Sequence, residues 1–299
     1  MKIILLVLCY MMLIISLIGS FVYVFFDFTI LGILIAIIAP SLSAFIVFWA
    51  IIPTIVIIRL QFWNKKKRVL IILGIAAFII LASFYPYYSI PASIINAETE
   101  MTYTYGSAYK NLDTTGMQVM PYNIWYSFNP PNYDHLITVT RDNVYTITSY
   151  GDSLLYDMYL PKGYASKAAG TIPIIVNIHG GGWTLGSKGP ANMQQRSKYL
   201  ASQGYAVFDV SYGLYSIENL TKNMGVNLQP IISLLLGIPG SEKYFPAYKH
   251  DYTLPEQVQN LGQFFLNLST YIKSTIPQLN LSRVFTMGGS AGGTLSSVI

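Results

Sequence analysis

Long uncharged apolar runs fill the first third of the chain, and short apolar runs punctuated by glycine and proline fill its second half. Ile3 to Phe26 holds 24 consecutive positions without a charge, Ile30 to Ile58 holds 29, and Val69 to Tyr85 holds 17 before the apolar character continues to about residue 88. A helix needs about 20 such residues to cross the ~30 Å hydrocarbon core, so three membrane helices are expected, at about 3–26, 30–58 and 69–88. Pro40 and Pro53 lie inside the second run and predict a kinked helix or a re-entrant turn there. The first run is longer than the apolar stretch of a cleaved leader and further runs follow it, which favours a retained helix.

From Pro86 to Leu136 the chain turns to Tyr, Asn, Thr and Pro with no sustained period of 3.6 or 2, and residues 91–136 read as a connector. Beyond it, strand and helix patterns alternate. Val144 to Tyr150 and Leu154 to Leu160 predict two strands joined at Gly151-Asp152. Ile172 to Ile178 is nearly continuous in apolar residues, as a strand buried on both faces requires. Pro190 to Gln203 predicts a helix with proline at its start and Gly204 past its end, and Tyr205 to Val210 another strand. Thr253-Leu-Pro-Glu256 supplies a capping box for a helix carrying Leu254, Val258, Leu261, Phe265, Leu268 and Ile272 on one face until Pro277. Val284 to Met287 is the last strand. This order predicts an α/β domain over 137–299, a mostly parallel sheet with helices on both faces. An insertion at about 214–253, with the apolar core Pro230 to Pro239, interrupts it and has the length of a lid or binding loop.

Charge separates the two halves. The chain carries +5 overall, and residues 1–85, with Lys2, Arg59, Lys65, Lys66, Lys67 and Arg68 against Asp27, hold all of it. The basic excess therefore sits beside the apolar runs, which removes support for nucleic acid as a partner and makes the lipid bilayer the expected one. Five cations in the loop Arg59 to Arg68 place that loop in the cytoplasm, so a cytoplasmic N-terminus and an extracytoplasmic domain after the third run are expected. The one cysteine, Cys9, lies in the first run and forms no disulfide within the chain. Asn219, Asn267 and Asn280 begin Asn-x-Ser/Thr triplets that suit an external domain.

Two glycine-rich motifs carry candidate chemistry. Val284 to Met287 runs into Gly288-Gly289-Ser290-Ala291-Gly292-Gly293, a strand followed by G-x-S-x-G, the layout of a nucleophile elbow in which small residues flank a serine on a turn too sharp for side chains. His179-Gly180-Gly181-Gly182-Trp183 follows the strand Ile172 to Ile178. Consecutive glycines let backbone N–H groups converge on an oxyanion. A phosphate loop would need a following Lys-Ser/Thr, which is missing; a plain glycine turn is the other reading of this segment taken alone.

From about Val144 to Ile299 the chain resembles the α/β-hydrolase fold, and within it the hormone-sensitive-lipase-like esterases and carboxylesterases. The matching pieces, in the family's order, are Asp157-Met-Tyr-Leu-Pro161, His179 to Trp183, Leu200 to Tyr212, Leu254-Pro-Glu-Gln-Val258 and Gly288 to Gly293. The resemblance implies Ser290 as nucleophile, an oxyanion hole from the N–H groups of Gly181, Gly182 and Ala291, and a His179 that shapes the loop rather than acting as base. Gly180, Trp183, Gly288 and Gly292 would support the two motifs. Ester cleavage through an acyl-enzyme, on a small or lipid-like ester and with no metal or cofactor, is the implied activity. Where the family often reads Asp-Tyr-Arg-Leu, this chain has Ser211-Tyr212-Gly213-Leu214, and Asn260 stands where the following helix often carries Asp. The triad in this fold runs Ser, then Asp or Glu, then His. Neither an acid nor a histidine follows Ser290, which leads us to expect a partial hydrolase domain from a truncated reading frame. His250 beside Asp251 is the one upstream pair that suggests a base, and a surface loop pair is its plainer reading. A hydrolase-like membrane interaction module without activity, and a peptidase or acyltransferase on the same fold, remain the alternatives.

Overall fold

The structure, a computed structural model, describes residues 2–24, 30–61, 66–111, 126, 129–189, 194–216, 219, 246 and 248–299. They form two compact units, one of residues before Pro131 and one from Pro131 to Ile299.

The first unit holds four helices: α1 (Lys2–Val24), α2 (Ile30–Gln61), α3 (Lys66–Ser83) and α4 (Tyr85–Tyr105). Its interior holds Cys9, Leu13, Ala50, Ile57, Ile72 and Ile79, while other aliphatic side chains such as Ile3, Ile15, Ile55 and Leu70 face outward. A polar contact joins α1 to α3 inside this bundle. Ser20 donates back to the Ser16 carbonyl (2.8 Å), which leaves Ser83 to donate to Ser20 (3.2 Å). Small hydroxyl residues at a helix contact let backbones approach closely.

Two expectations need correction in this unit. Among the described residues one helix, Lys2–Ser20, with a mean hydropathy of 2.7, is long and apolar enough to cross a membrane, not three. The third run fails because α3 opens on Lys66, Lys67 and Arg68, and the uncharged remainder is about 22 Å long at 1.5 Å per residue, short of the ~30 Å core. The second run forms a single helix through Pro40 and Pro53, which excludes the re-entrant turn. The connector also begins as helix: α4 continues to Tyr105, with Thr99 and Thr102 returning their hydroxyls to the carbonyls of Ile95 and Glu98.

The second unit is a five-stranded sheet in the order β1-β2-β4-β3-β5, with β1 Ile137–Ile147, β2 Ser153–Pro161, β3 Ile172–Ile178, β4 Ala206–Val210 and β5 Leu279–Gly288. Two pairings are antiparallel (β1 with β2, β2 with β4) and two parallel (β4 with β3, β3 with β5), so the sheet is mixed rather than mostly parallel. The hairpin causes this, because its Thr148–Asp152 turn returns β2 against β1 and only the later strands follow helical crossovers. Helices cover both faces. Leu261, Phe264 and Leu268 of α6 (Leu254–Asn267, continued by a π-turn) and Leu295 of α7 (Ala291–Val298) meet Tyr156, Ile174, Val176 and Phe208 on one face. On the other face Ala201 of α5 (Gln194–Ser202) meets Tyr159, Ile175 and Val207. The start of the expected helix at Pro190 and the insertion core Pro230 to Pro239 lie outside the described residues.

On the α5 face, next to the row Tyr159, Val207 and Ile175, the register sets Asp157 opposite Asp209 and Asp209 beside Asn177. All three are buried in strands that are otherwise apolar. A buried carboxylate needs a partner, and the chain that provides it belongs to the candidate site.

Candidate active site

Strands β3 and β5 are parallel neighbours, with Ile178 opposite Gly288, so the segments leaving their C-terminal ends emerge side by side. Ligand sites of open α/β sheets lie at that edge. The segment after β3 is His179 to Gly189, and the segment after β5 is the turn into α7. Ser290 is the N-cap of α7, at φ 54° and ψ −124°. A non-glycine residue at positive φ is costly, and here the turn imposes it. A Cβ on Gly288 would fall 2.8 Å from the Gly293 nitrogen and closer still to Gly292, while one on Gly292 would fall 2.6 Å from the His179 carbonyl oxygen. These two positions are glycine because the turn folds onto itself and onto the end of β3.

The same crowding joins the two motifs. A Cβ on Gly180 would lie 2.6 Å from the Gly289 carbonyl oxygen and 3.4 Å from the Ser290 Cβ. Thus the glycine loop rests directly on the serine turn. Within the loop Gly181 and Gly182 take φ of 121° and 60°, and the Gly181 carbonyl accepts from the N–H groups of Thr184 (3.2 Å) and Leu185 (2.9 Å). Ser290 is solvent-exposed, and Ala291 behind it is buried. Among the described residues neither Gly181, Gly182 nor Ala291 donates its N–H to a backbone acceptor.

His179 is buried and stacked on Tyr212 (centroids 4.3 Å apart, planes 16° apart), whose hydroxyl donates to the His179 carbonyl (3.0 Å). Burial pushes the imidazole down to about 4, so it is neutral at physiological pH. Its Nδ1 lies 2.9 Å from the Gly180 carbonyl, which makes Nδ1 the protonated nitrogen, and Nε2 has no partner among the described residues. The side chain is part of the loop's framework, and neither ring nitrogen hydrogen-bonds the Ser290 hydroxyl.

Sequence reasoning missed the residues that hold the loop's far end. Lys188 is buried with its ammonium 2.6 Å from Asp157 and 2.6 Å from Asp142, and its N–H donates to Ser211 (3.2 Å). Burial disfavours the charge, yet the two carboxylates outweigh it and hold the lysine above its ordinary value. Asp142 reaches Lys188 from an irregularity of β1 between Thr140 and Asn143, at φ 56°. Gly189 donates its N–H to Asp209 (2.6 Å), and Arg196 of α5 donates to Asn177 (2.6 Å). Asp157 and Asp209, acidic residues within apolar strands, were the available signal.

The three histidines of the chain all fail to meet Ser290. His135 lies in the short 3₁₀ turn before β1. His250 bonds Glu256 (3.1 Å) and stacks on Tyr150, while Asp251 receives the Ser216 N–H and the Asn219 amide, so the His250–Asp251 pair does not exist as a unit. Gly213, where the resembled family often has Arg, is at φ 83° with the Tyr252 ring against it, a place that admits no side chain. Asn260 donates to the Tyr212 carbonyl (3.0 Å). Among the described residues no group of three His, Cys, Asp or Glu is placed to hold a metal ion.

The BD-FAE family, an esterase-associated domain, matches residues 156–224, which run from β2 through the glycine loop and β4. The native thermophilic esterase Est2 of the Planctomycetes species Thermogutta terrifontis is 19% identical, with 56% of this chain and 45% of that chain covered at a TM-score of 0.36. Its propionate-bound form gives 19%, 56%, 46% and 0.36, and the form phosphorylated by paraoxon gives 20%, 56%, 48% and 0.36. This chain spans less than half the length of those esterase chains. Among curated proteins, none matches it.

Proposed function

We propose that this chain carries the nucleophile and the oxyanion donors of a membrane-anchored serine hydrolase that cleaves carboxylic esters. The close approach of Gly180 to Gly289 and Ser290 is the observation that supports the reading, because it packs the glycine loop against an exposed serine on a strained turn. The BD-FAE match over residues 156–224 supports the esterase class. In the reaction, Ser290 Oγ attacks the ester carbonyl carbon and gives up its proton to a general base. The carbonyl oxygen becomes an oxyanion facing the N–H groups of Gly181, Gly182 and Ala291, and the alcohol leaves with a proton as the acyl-enzyme forms. Water then attacks the acyl carbon and releases the acid. One donor of this kind supplies roughly 2.7–4 kcal/mol of transition-state stabilisation. None of the three histidines of the chain hydrogen-bonds Ser290, and the proposal assigns the base to none of them.

The anchor is the bundle with its apolar exterior, with Lys2–Ser20 as the span that stands on its own. A location at the bilayer suits small or lipid-like esters.

The test is covalent. A fluorophosphonate probe applied to detergent-solubilised protein is expected to label Ser290 and not a Ser290→Ala variant. Failure of the probe on the chain, and on any longer form with an added histidine-bearing segment, leaves the inactive interaction module as the reading. Turnover of a short acyl ester but not of a peptide separates esterase from peptidase. Carbonate extraction that releases the protein to the supernatant sinks the anchor.

A further inference from the structure

Trp183 closes the glycine loop in the left-handed region, at φ 64°, where a bulky residue stays only if its surroundings hold it. Two donors hold its carbonyl: the Tyr215 N–H (2.9 Å) and the Gln257 side-chain amide (3.0 Å). Gln257 is wholly buried, its amide nitrogen also lies 3.4 Å from the Tyr252 carbonyl, and its Oε1 has no partner among the described residues. A residue kept only for packing would gain by losing that orphan acceptor. Its place is fixed from below, since Gln257 sits one turn into α6, directly after the Thr253–Glu256 capping box. Asn260, on the same helix, holds the Tyr212 carbonyl, and Tyr212 holds His179. The first two turns of α6 therefore grip the glycine loop at both ends, at Trp183 and at His179.

We infer that Gln257 is a positioning residue for the oxyanion donors, acting through the Trp183 carbonyl; this rests on the proposed role of the loop. Release of that carbonyl lets Trp183 relax to negative φ, which swings the Gly182–Trp183 peptide and withdraws the turn that presents the Gly181 and Gly182 N–H groups. No group of Gln257 touches the substrate.

The test compares wild type with Gln257→Met and the shape-conserving Gln257→Glu in the full detergent-solubilised chain. Three quantities are read: hydrogen exchange of the Thr184 and Leu185 amides, the rate of fluorophosphonate labelling at Ser290, and the thermal midpoint. Both variants are expected to exchange those two amides roughly tenfold faster, the loss of about one neutral hydrogen bond, and to label more slowly by a similar factor. The midpoint of Gln257→Met is expected to hold or rise, as its orphan acceptor is gone. Unchanged exchange in either folded variant overturns the inference and makes Gln257 a packing residue. If wild type is not labelled, the exchange data still decide this point independently of the proposed function.

Discussion

Lys188 sets its ammonium 2.6 Å from the Asp157 carboxylate, and the two side chains are 8% and 2% exposed. Removal of one partner from such a pair strands the other charge in a medium that solvates it poorly. Lys188→Met is expected to cost roughly 3–5 kcal/mol in chemical denaturation, and the double variant Lys188→Met, Asp157→Leu to recover part of that loss. An equal loss in single and double variants would mean that the stranded charge is not the cause.

Gly180 and Gly262 make opposite steric predictions. A methyl at Gly180 meets the Gly289 carbonyl at 2.6 Å, so Gly180→Ala must part the loop from the serine turn, at about 1–3 kcal/mol and with slower labelling of Ser290. At Gly262 in α6 a Cβ meets nothing within 4 Å. Gly262→Ala is expected to stabilise by about 0.5–1 kcal/mol by restricting the unfolded chain, as a shift of the denaturation midpoint without a change of slope will show.

Glu256 governs the acid limb of stability. The Thr253 hydroxyl and N–H, with Tyr150 and His250, hold its carboxyl down to about 2. Because the folded value is depressed, this stabilisation is full above the ordinary carboxylate value of ~4.3 and is lost as pH falls toward 2. Glu256→Gln is expected to lower the thermal midpoint at pH 6 and to flatten its fall between pH 4.3 and 2. A variant that keeps the wild-type slope in that window excludes the assignment.

His179 acts over a different range. Its folded value near 4 lies below the ordinary histidine value of ~6.5, so between these the unfolded chain binds a proton that the folded chain refuses. Stability is expected to drop as pH falls from 6.5 to 4, and His179→Asn to remove that slope, whatever it does to the plateau. Thermal midpoints in steps of half a pH unit will resolve it.

Local signals gave the sequence reading its successes. Ile172 to Ile178 is an apolar run because both faces of β3 are covered, the capping box of α6 stands where Thr253 and Glu256 announced it, and the serine turn follows β5 as its glycines required. The failures share a non-local cause. The first half of β1 was unreadable because Arg141, Asp142 and Asn143 break its alternation: Arg141 pairs with Asp157, Asp142 with Lys188, and Asn143 donates to the Tyr156 carbonyl. The role of Gln257 depends on a carbonyl 74 positions away, and the sheet order on pairings between strands far apart in the chain.

The buried row of Asp157, Asp209 and Asn177 also bears on how the domain finds its fold. Side chains alternate across a strand with a period of two, so a slip of β2 by a single residue against β4 would throw Asp157 to the opposite face, into the company of Phe208 and Phe264, and take from Lys188 its buried carboxylate partner. Apolar residues would tolerate that slip far better, since one aliphatic face resembles another. The row therefore works as a proofreading device: it makes near-native pairings electrostatically untenable, and ties correct strand registry to the closing of the loop beside Ser290.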